Sequence, residues 1–167
     1  MDKIKVFIMD VDGTMTDGNI YMAATGELFK SFDIKDGYGI HEILPENGVT
    51  TVIMTGRVSD IVLNRAKELE ISIVLQNVKD KGKAILELQK ELRCRKEEMA
   101  YIGDDIIDIS AMVHSGIAAC PKNAVQEVKD ICQYVCKNNG GNGAIREFIE
   151  WLKLNDMLIG GGQGNEN

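Results

Sequence analysis

The sequence predicts a doubly wound, three-layer α/β/α domain with a parallel central sheet. Two observations lead to this prediction: short apolar runs recur along the chain, and segments with helical periodicity lie between them. A nearly continuous apolar run is typical of a strand that is buried on both faces, as the strands of a parallel sheet are. Buried strands that alternate with amphipathic helices favour right-handed crossovers and helices on both faces of the sheet.

Six apolar runs supply the predicted strands, at 5–9, 51–54, 71–75, 99–102, 116–120 and 131–135, of which the last two are weaker. Helices are predicted where apolar residues recur at helical spacing. Ser59 is expected to cap one helix, whose apolar side carries Ile61, Val62, Ala66 and Leu69. The apolar sides of two others are formed by Ala84, Ile85, Leu88 and Leu92 and by Ile145, Phe148, Ile149 and Leu152.

One segment interrupts this alternation. Residues 19–33 form two extended stretches about a turn at Thr25 and Gly26, which predicts a β-hairpin inserted at about 18–33, before a first helix near 37–44. A chain of 167 residues usually makes one domain, so we predict a single domain over 1–155. Residues 156–167 are rich in glycine and are expected to form a flexible tail.

Composition and charge argue against several function classes. The net charge is −7 and the pI is about 4.9, so the surface repels phosphate backbones and no nucleic-acid partner is expected. There is no run of about 18 apolar residues, and neither a membrane span nor a secretory signal is expected. The four cysteines lack C-x-x-C spacing, and reduced thiols are typical of the cytoplasm, where we place the protein.

Polar side chains that can carry chemistry follow four of the predicted strands. In an open parallel sheet, binding and catalysis collect at the carboxyl ends of the strands. Carboxylates, a hydroxyl and cations are therefore expected to meet at one edge. They are Asp10 and Asp12 after the first strand, Thr55 and Arg57 after the second, Lys79, Lys81 and Lys83 after the third, and Asp104, Asp105 and Asp108 after the fourth.

Crowded carboxylates repel one another unless a cation neutralises them. Oxygen ligands favour a hard divalent ion, and Mg²⁺ is the expected cofactor. A metal ion, a carboxylate and a lysine in one cleft suit phosphoryl transfer, which depends on positioning and on charge neutralisation. The alternative interpretation is that residues 10–14 are only a polar turn, and the polar groups at the other strand ends disfavour it.

Four motifs carry a resemblance to known enzymes. The segments Asp10-Val11-Asp12-Gly13-Thr14, Thr55-Gly56-Arg57, Lys81 and Gly103-Asp104-Asp105 resemble the motifs of the haloacid dehalogenase (HAD) superfamily of phosphatases. The resemblance narrows to the 3-deoxy-D-manno-octulosonate 8-phosphate phosphatases through Thr16-Asp17-Gly18, the hairpin, Asp36-Gly37-Tyr38-Gly39-Ile40, Ala100-Tyr101-Ile102-Gly103-Asp104-Asp105 and the segment 140–147. The resemblance implies a Rossmann-like HAD fold without a large cap domain.

The resemblance also implies a Mg²⁺-dependent phosphomonoester hydrolase with an aspartyl-phosphate intermediate. Asp10 is the implied nucleophile, and Asp12 is the implied acid for the leaving alkoxide and then the base for water. Mg²⁺ is expected between Asp10, the backbone carbonyl of Asp12 and Asp104. Thr55 and Lys81 are expected to hold the phosphoryl oxygens.

Two arginines keep two interpretations each. Arg57 either binds a carboxylate of the substrate or is a surface charge at the start of a helix. Arg65 either reaches the substrate of a neighbouring subunit, as the resemblance implies, or is a charge on the surface of a helix. Lys79 and Lys83 are expected to be solvated.

Three further features have roles that the sequence leaves open. Asp105 is expected to support the surroundings of the metal, and Asp108 to reach the metal through water. The loop 140–143 opens the last helix and either binds an anion or is a tight connection.

The hairpin is the basis for a predicted assembly. In the octulosonate phosphatases, hairpins form a barrel at the centre of a homotetramer and each subunit covers the cleft of the next. Ile20, Tyr21, Phe29 and Phe32 would be buried in such an interface, since an isolated hairpin is marginal in water. The alternative is a monomer whose hairpin folds onto its own core.

Several functions remain open at this level. The first is hydrolysis of octulosonate 8-phosphate, a phosphorylated sugar acid, for lipopolysaccharide, capsule or another glycoconjugate. The second is hydrolysis of a nonulosonate 9-phosphate, whose enzymes resemble this chain but carry Glu in place of Arg57. The others are a receiver-like domain that senses phosphate and a phosphatase of broad specificity.

Overall fold

The computed structural model describes residues 2–160, which form one parallel six-stranded sheet and a separate two-stranded hairpin. The sheet has the order β5-β4-β1-β6-β7-β8. All five strand pairings within it are parallel, which confirms the predicted sheet. The strands are β1 (Val6–Met9), β2 (Tyr21–Ala23), β3 (Gly26–Phe29), β4 (Thr50–Met54), β5 (Ile73–Leu75), β6 (Met99–Ile102), β7 (Ile117–Cys120) and β8 (Tyr134–Val135).

Helices cover both faces of the sheet. The first two helices, α1 and α2, are joined by a wider helical turn at Gly39–Ile43. The backbone is helical at both junctions, so the three segments form one continuous helical stretch. The helices are α1 (Ile34–Tyr38), α2 (Leu44–Glu46), α3 (Asp60–Glu68), α4 (Lys81–Glu91), α5 (Ile106–Met112), α6 (Gln126–Lys129) and α7 (Ala144–Leu154).

The alternation of side chains along β1 produces two apolar cores, one on each face of the sheet. Phe7 and Met9 enter the core formed with α2, α3 and α7, whereas Val6 and Ile8 enter the core formed with α4, α5 and α6. All four side chains are at most 2% exposed. This burial on both faces explains the continuous apolar run in the sequence and confirms the three-layer fold.

The hairpin projects from the domain directly after β1, as predicted. Its two strands pair antiparallel, and the rings of Tyr21 and Phe29 stack with centroids 4.3 Å apart. The turn lies one residue earlier than predicted, and Gly26 opens β3 with a φ of +125°. The hairpin exposes four large apolar side chains, those of Ile20, Met22, Leu28 and Phe29.

Two local expectations about helix starts are wrong. The first helix begins at Ile34 rather than near residue 37, because the Asp33 carboxylate accepts the backbone N–H groups of Lys35 and Asp36. Helix α3 does begin after Ser59, but the Ser59 hydroxyl does not cap it. It donates instead to Oε2 of Glu27 in the hairpin, at 2.6 Å.

The predicted tail is also corrected at its start. Met157 and Leu158 are buried in the same core as α7. The carbonyl of Met157 accepts from the N–H of Ile4, and the N–H of Gly160 donates to Asn47. The rest of the predicted tail, 161–167, lies outside the described residues. Between residues 2 and 160, no helix is both long and apolar enough to cross a bilayer.

Candidate active site

The loops that follow β1, β4 and β6 meet at the carboxyl edge of the sheet. These three strands are neighbours in the middle of the sheet, with β1 between the other two. Asp10 directly follows β1, and its N–H donates to the carbonyl of Ile102 at the end of β6. Thr55 directly follows β4, and Asp104 follows β6 by two residues. The predicted convergence of polar residues at one edge is confirmed for these positions.

A tight turn after Asp10 brings the next residues back over the sheet edge. Asp12 has ψ of 108° and Gly13 has φ of +97°, so the chain bends at this point. The N–H of Gly13 donates to the Thr16 hydroxyl at 3.2 Å. A side chain at Gly13 would collide with the Asp104 carboxylate. Glycine is required here both for its backbone conformation and for the space that it leaves.

Three carboxylates crowd together beside this turn. One oxygen each from Asp10, Asp104 and Asp108 lies within 4.8 Å of the others. Burial raises the pKa of Asp10 well above its usual range, and the charge of Asp108 adds to that effect. Burial and then Asp108 raise the pKa of Asp104 to about 6. Thr14 donates to Asp104 at 3.2 Å and so favours its ionised form.

Lys81 supplies the counter-charge from the first turn of α4. Its side chain is buried, and its Nζ lies 2.6 Å from Oδ1 of Asp10 and 2.6 Å from Oδ1 of Asp108. Burial lowers the pKa of this amine, but the two carboxylates outweigh burial and raise it. Lys79 is exposed and Lys83 pairs with Glu87 at the surface, so of these three lysines Lys81 is the one beside the carboxylates.

Asp108 occupies a more central place than the sequence indicated. It is fully buried and accepts hydrogen bonds from Tyr101 at 2.7 Å and from the backbone N–H groups of Asp104 and Asp105 at 3.0 and 3.1 Å. Burial, followed by the charges of Asp108 and Asp10, raises the pKa of Tyr101, so its hydroxyl stays a donor. Neither Tyr101 nor this central place of Asp108 was predicted.

Asp105 has a structural role next to these groups. Its carboxylate accepts from the N–H of Ile106 at 2.7 Å and caps α5. The residue is exposed, whereas Asp104 beside it is part-buried. Asp105 therefore supports the site by fixing the start of the helix that carries Asp108.

Thr55 and Arg57 lie on the opposite side of Asp10 and Asp12 from the β6 loop. Thr55 is buried, and its hydroxyl accepts from the N–H of Arg57 at 3.4 Å. The Arg57 guanidinium lies 3.9 Å from Asp12 and 3.5 Å from Glu27, with 42% of the side chain exposed. Arg57 thus lies at the rim of the cleft.

The hairpin adds two charged residues that sequence reasoning missed. Lys30 places Nζ 2.5 Å from Oδ1 of Asp12 and 2.8 Å from Oε1 of Glu27. The Lys30 side chain is only 3% exposed. The hairpin therefore folds over the turn of its own chain as well as projecting from it.

Arg65 lies on α3, in a different part of the molecule from the carboxylate cluster. Its guanidinium packs over the ring of Phe32, with 5.5 Å between the guanidinium carbon and the ring centroid, and pairs with Glu68 at 2.8 Å. A side chain at Gly37 would collide with it. The contacts of Arg65 within this chain thus join α3 to the base of the hairpin and to α1.

The loop 140–143 is a tight connection. A side chain at Gly140 would collide with the carbonyl of Gly13, and one at Gly141 would collide with the backbone of Thr16 and Asp17. The N–H of Gly141 donates to the Thr14 carbonyl at 3.0 Å. The glycines allow this loop to pack directly on the turn that follows Asp10, so of the two interpretations the structure favours the tight connection.

The donor set fits a hard divalent cation. Asp10 and Asp104 present oxygen ligands. Burial destabilises the ionised form of both carboxylates, and a bound cation would offset this destabilisation. Among the described residues, the one group of acidic, histidine or cysteine side chains close enough to hold a metal ion is this cluster with Asp108.

Comparison with known proteins supports this description. Residues 71–149 match the model of the haloacid dehalogenase-like hydrolase family. The 3-deoxy-D-manno-octulosonate 8-phosphate phosphatase KdsC of Yersinia pestis is 37% identical over 161 residues, which cover 96% of this chain and 86% of that protein.

Solved structures of two such enzymes share the fold. The phosphatase from Moraxella catarrhalis was solved in complex with magnesium, phosphate and KDO (3-deoxy-D-manno-octulosonate). Its TM-score with this chain is 0.87 and its identity is 39%, over 92% of this chain and 89% of that one. The cobalt-bound enzyme of Haemophilus influenzae has a TM-score of 0.88 and 34% identity, covering 93% and 90%. The chain belongs to the 3-deoxy-D-manno-octulosonate 8-phosphate phosphatases, a family of haloacid dehalogenase-like hydrolases. Membership of an enzyme family disfavours the phosphate-sensing domain.

Proposed function

We propose that this protein is a Mg²⁺-dependent phosphatase that hydrolyses 3-deoxy-D-manno-octulosonate 8-phosphate. The observation that carries the proposal is the buried Asp10, which lies among Asp104, Asp108 and Lys81 at the sheet edge, in a chain related to KDO 8-phosphate phosphatases along nearly its whole length. An oxygen nucleophile, a cation and a metal site in one cleft are what phosphoryl transfer requires.

The chemistry begins with Asp10. Its carboxylate attacks phosphorus, the bond from phosphorus to the sugar oxygen breaks, and an aspartyl phosphate forms. Asp12 gives its proton to the departing sugar oxygen, and as a carboxylate it then takes a proton from the water that hydrolyses the intermediate. Lys81, next to Asp10, and Thr55 hold the phosphoryl oxygens in place.

Mg²⁺ would be held by Asp10, Asp104 and the backbone carbonyl of Asp12. When bound, the ion would neutralise negative charge on the phosphoryl group and on the two carboxylates. Asp108 fixes the positions of Lys81 and Asp104 relative to each other, because it accepts hydrogen bonds from Lys81 Nζ and from the backbone N–H of Asp104. Thr14 orients the Asp104 carboxylate.

Arg57 is the proposed contact for the carboxylate of the sugar acid. It lies at the rim of the cleft and is held only by longer ion pairs to Asp12 and Glu27, at 3.9 and 3.5 Å. A bidentate pair with a substrate carboxylate would be stronger than either of these contacts.

The proposed assembly is a homotetramer built on the hairpins. Met22 and Leu28 are 61% and 60% exposed on the hairpin, where a hydrophobic interface would bury them. Arg65, on the neighbouring helix α3, is proposed to reach the substrate of an adjacent subunit. The cytoplasmic location remains a prediction from the sequence.

The test is a substrate panel with Mg²⁺, which contains octulosonate 8-phosphate, a nonulosonate 9-phosphate and simple sugar phosphates without a carboxylate. We expect kcat/KM to be highest for octulosonate 8-phosphate. In Arg57→Gln it falls about 10- to 100-fold for that substrate, as expected for the loss of a charged hydrogen-bonded pair, and stays constant for simple sugar phosphates. Arg93→Gln, at an exposed arginine after α4, is the matched control. Equal rates on every sugar would contradict the proposed substrate.

A further inference from the structure

Lys30 is a buried cation that the mechanism above does not use. It directly follows β3, and its ammonium group contacts two carboxylates, those of Asp12 and Glu27. Lysine is almost never fully buried unless it is paired, and the side chain of Lys30 is only 3% exposed. The hairpin therefore brings a fixed positive charge to the residue that transfers the proton.

Glu27 holds Lys30 in this place from the other side. Its Oε2 accepts from the Ser59 hydroxyl at 2.6 Å, and the N–H of Ser59 donates to Gln76 at 2.6 Å. Burial raises the pKa of Glu27, but hydrogen bonds from Lys30 and Ser59 outweigh burial and lower it. Glu27 is therefore ionised near neutral pH. The loop after β4 anchors it through Ser59, and Gln76 after β5 holds Ser59 in turn.

The two cations beside Asp12 are held in different ways. Lys30 is buried and contacts Oδ1 of Asp12 at 2.5 Å, whereas Arg57 is 42% exposed and lies 3.9 Å from the same oxygen. Arg57 is thus free to turn towards a substrate, but Lys30 is not. Both ion pairs that Asp12 forms within residues 2–160 use Oδ1, so Oδ2 is the oxygen left for proton transfer.

From this arrangement, and resting on the proposed phosphatase function, we propose that Lys30 is a positioning residue that fixes the Asp12 carboxylate for proton transfer to the leaving oxygen. The turn at Val11–Met15 fixes only the backbone of Asp12. The two side-chain torsions of Asp12 need a further constraint, and proton transfer requires the acid to lie within hydrogen-bond distance of the leaving oxygen. Lys30 supplies the constraint by anchoring Oδ1.

Leaving-group dependence separates this role from a purely structural one. A positioned acid matters little for a good leaving group, such as 4-nitrophenolate, and more for a poor one, such as phenolate. The readout is the slope of log kcat/KM against the pKa of the leaving group for a series of aryl phosphates. Because kcat/KM covers steps only up to the formation of the aspartyl phosphate, the later role of Asp12 as a base does not enter.

We expect Lys30→Met to make this slope steeper. We expect kcat/KM for phenyl phosphate to fall about tenfold, which is part of the 100- to 10,000-fold that general acid catalysis typically provides. For 4-nitrophenyl phosphate, kcat/KM changes less than about twofold. Lys30→Arg, which keeps the charge, restores most of the loss for phenyl phosphate. Lys35→Met, at an exposed lysine on α1, keeps the wild-type slope.

Two outcomes would overturn the proposal. An equal loss for every aryl phosphate would make Lys30 structural, since partial unfolding scales all substrates by the same factor. A loss confined to the sugar acid, with unchanged kcat/KM for the aryl phosphates, would make Lys30 a substrate contact.

If Lys30→Met does not fold, Glu27→Gln is measured instead. A steeper slope is expected for this variant, and an unchanged slope would contradict the proposal. If the enzyme hydrolyses aryl phosphates but not octulosonate 8-phosphate, the proposed substrate fails while the slope still tests Lys30.

Discussion

Lys81 Nζ lies 2.6 Å from Oδ1 of Asp10, and this contact joins the first turn of α4 to the end of β1. The same amine also contacts Asp108, so one buried cation balances two buried carboxylates. The proposed nucleophile is therefore held in place before a phosphate group enters. This arrangement has consequences for both stability and activity.

Replacing Lys81 is expected to impair folding as well as catalysis. Lys81→Met leaves Asp10 and Asp108 buried without their cation, which typically costs about 3–5 kcal/mol of the free energy of unfolding. The loss is smaller at pH 5 than at pH 7.5, because burial raises the pKa of Asp10 and its unpaired carboxylate can take up a proton. Urea denaturation at the two pH values measures this difference.

The control for Lys81 is Lys83→Met, two residues further along the same helix. Lys83 is 74% exposed and pairs with Glu87 at 3.9 Å, so we expect a change within about 0.5 kcal/mol. Two variants of equal stability would show that Lys81 does not balance the buried carboxylates.

Gly13 is expected to tolerate no side chain. Its φ of +97° and the collision of a methyl group with the Asp104 carboxylate both act against Gly13→Ala. We expect kcat/KM to fall at least about 100-fold, since a displacement of about 1 Å within a site can cost that much. Gly48→Ala is the control, because Gly48 has a φ of +68° and open space around it. It is expected to lose about 1 kcal/mol of stability and no activity. Equal activity in the two alanine variants would contradict the packing that we describe.

Mg²⁺ is expected to stabilise the protein more at pH 7.5 than at pH 5. The pKa of Asp104 is raised to about 6 by burial and by Asp108. Because this pKa exceeds its ordinary value, the contribution of Asp104 to the stability of the metal-free protein is complete below about pH 4 and is lost as the pH rises through about 6. The cation binds the ionised form, so its gain is largest above that range.

Thermal unfolding with and without Mg²⁺ at pH 5, 6 and 7.5 measures this effect. In Asp104→Asn the increase in Tm with Mg²⁺ is expected to be small at every pH. Asp105→Asn is the control, since Asn also caps helices and Asp105 does not belong to the carboxylate cluster. A Tm increase that is as large at pH 5 as at pH 7.5 would exclude Asp104 as the titrating ligand.

The exposed face of the hairpin is expected to form the subunit contact. Leu28→Lys places a charge on a side chain that is 60% exposed in this chain, so the monomer should fold normally while the assembly dissociates. Light scattering after size exclusion measures the mass. Leu154→Lys, at a side chain that is 84% exposed on α7, is expected to leave the mass unchanged. A wild-type protein with the mass of a single chain would refute the proposed tetramer.

Much of the fold could be predicted because its local signals are strong. The apolar run of β1 and the amphipathic helices α4 and α7 reflect burial, which leaves a direct pattern in the sequence. Asp10 and Asp104 could be placed together because parallel strands end at one edge. Helix starts were less predictable: the hydroxyl of Ser59 has two possible partners, and the one it takes comes from the hairpin.

The parts of the site that were missed depend on contacts between distant segments. Lys30 reaches Asp12 only because the hairpin folds back over the turn after β1. Neither the spacing of the residues in the hairpin nor the composition of the hairpin indicates this contact. Tyr101 has the pattern of an ordinary buried strand residue, and only its hydrogen bond to Asp108 connects it to the site. Met157 likewise follows a helix in a polar segment, yet it packs into the core that α7 shares with β1, which is far away in the sequence.

The most direct test of the account is phosphate release from octulosonate 8-phosphate with Mg²⁺, combined with the mass of the Asp10 peptide after acid quenching. We expect release to stop with EDTA and to fall at least about 1,000-fold in Asp10→Asn, as for other covalent nucleophiles. We also expect the wild-type peptide to carry one phosphoryl group during turnover. Release by Asp10→Asn at the wild-type rate, or a phosphoryl group on another residue, would contradict the assignment of Asp10 as the nucleophile.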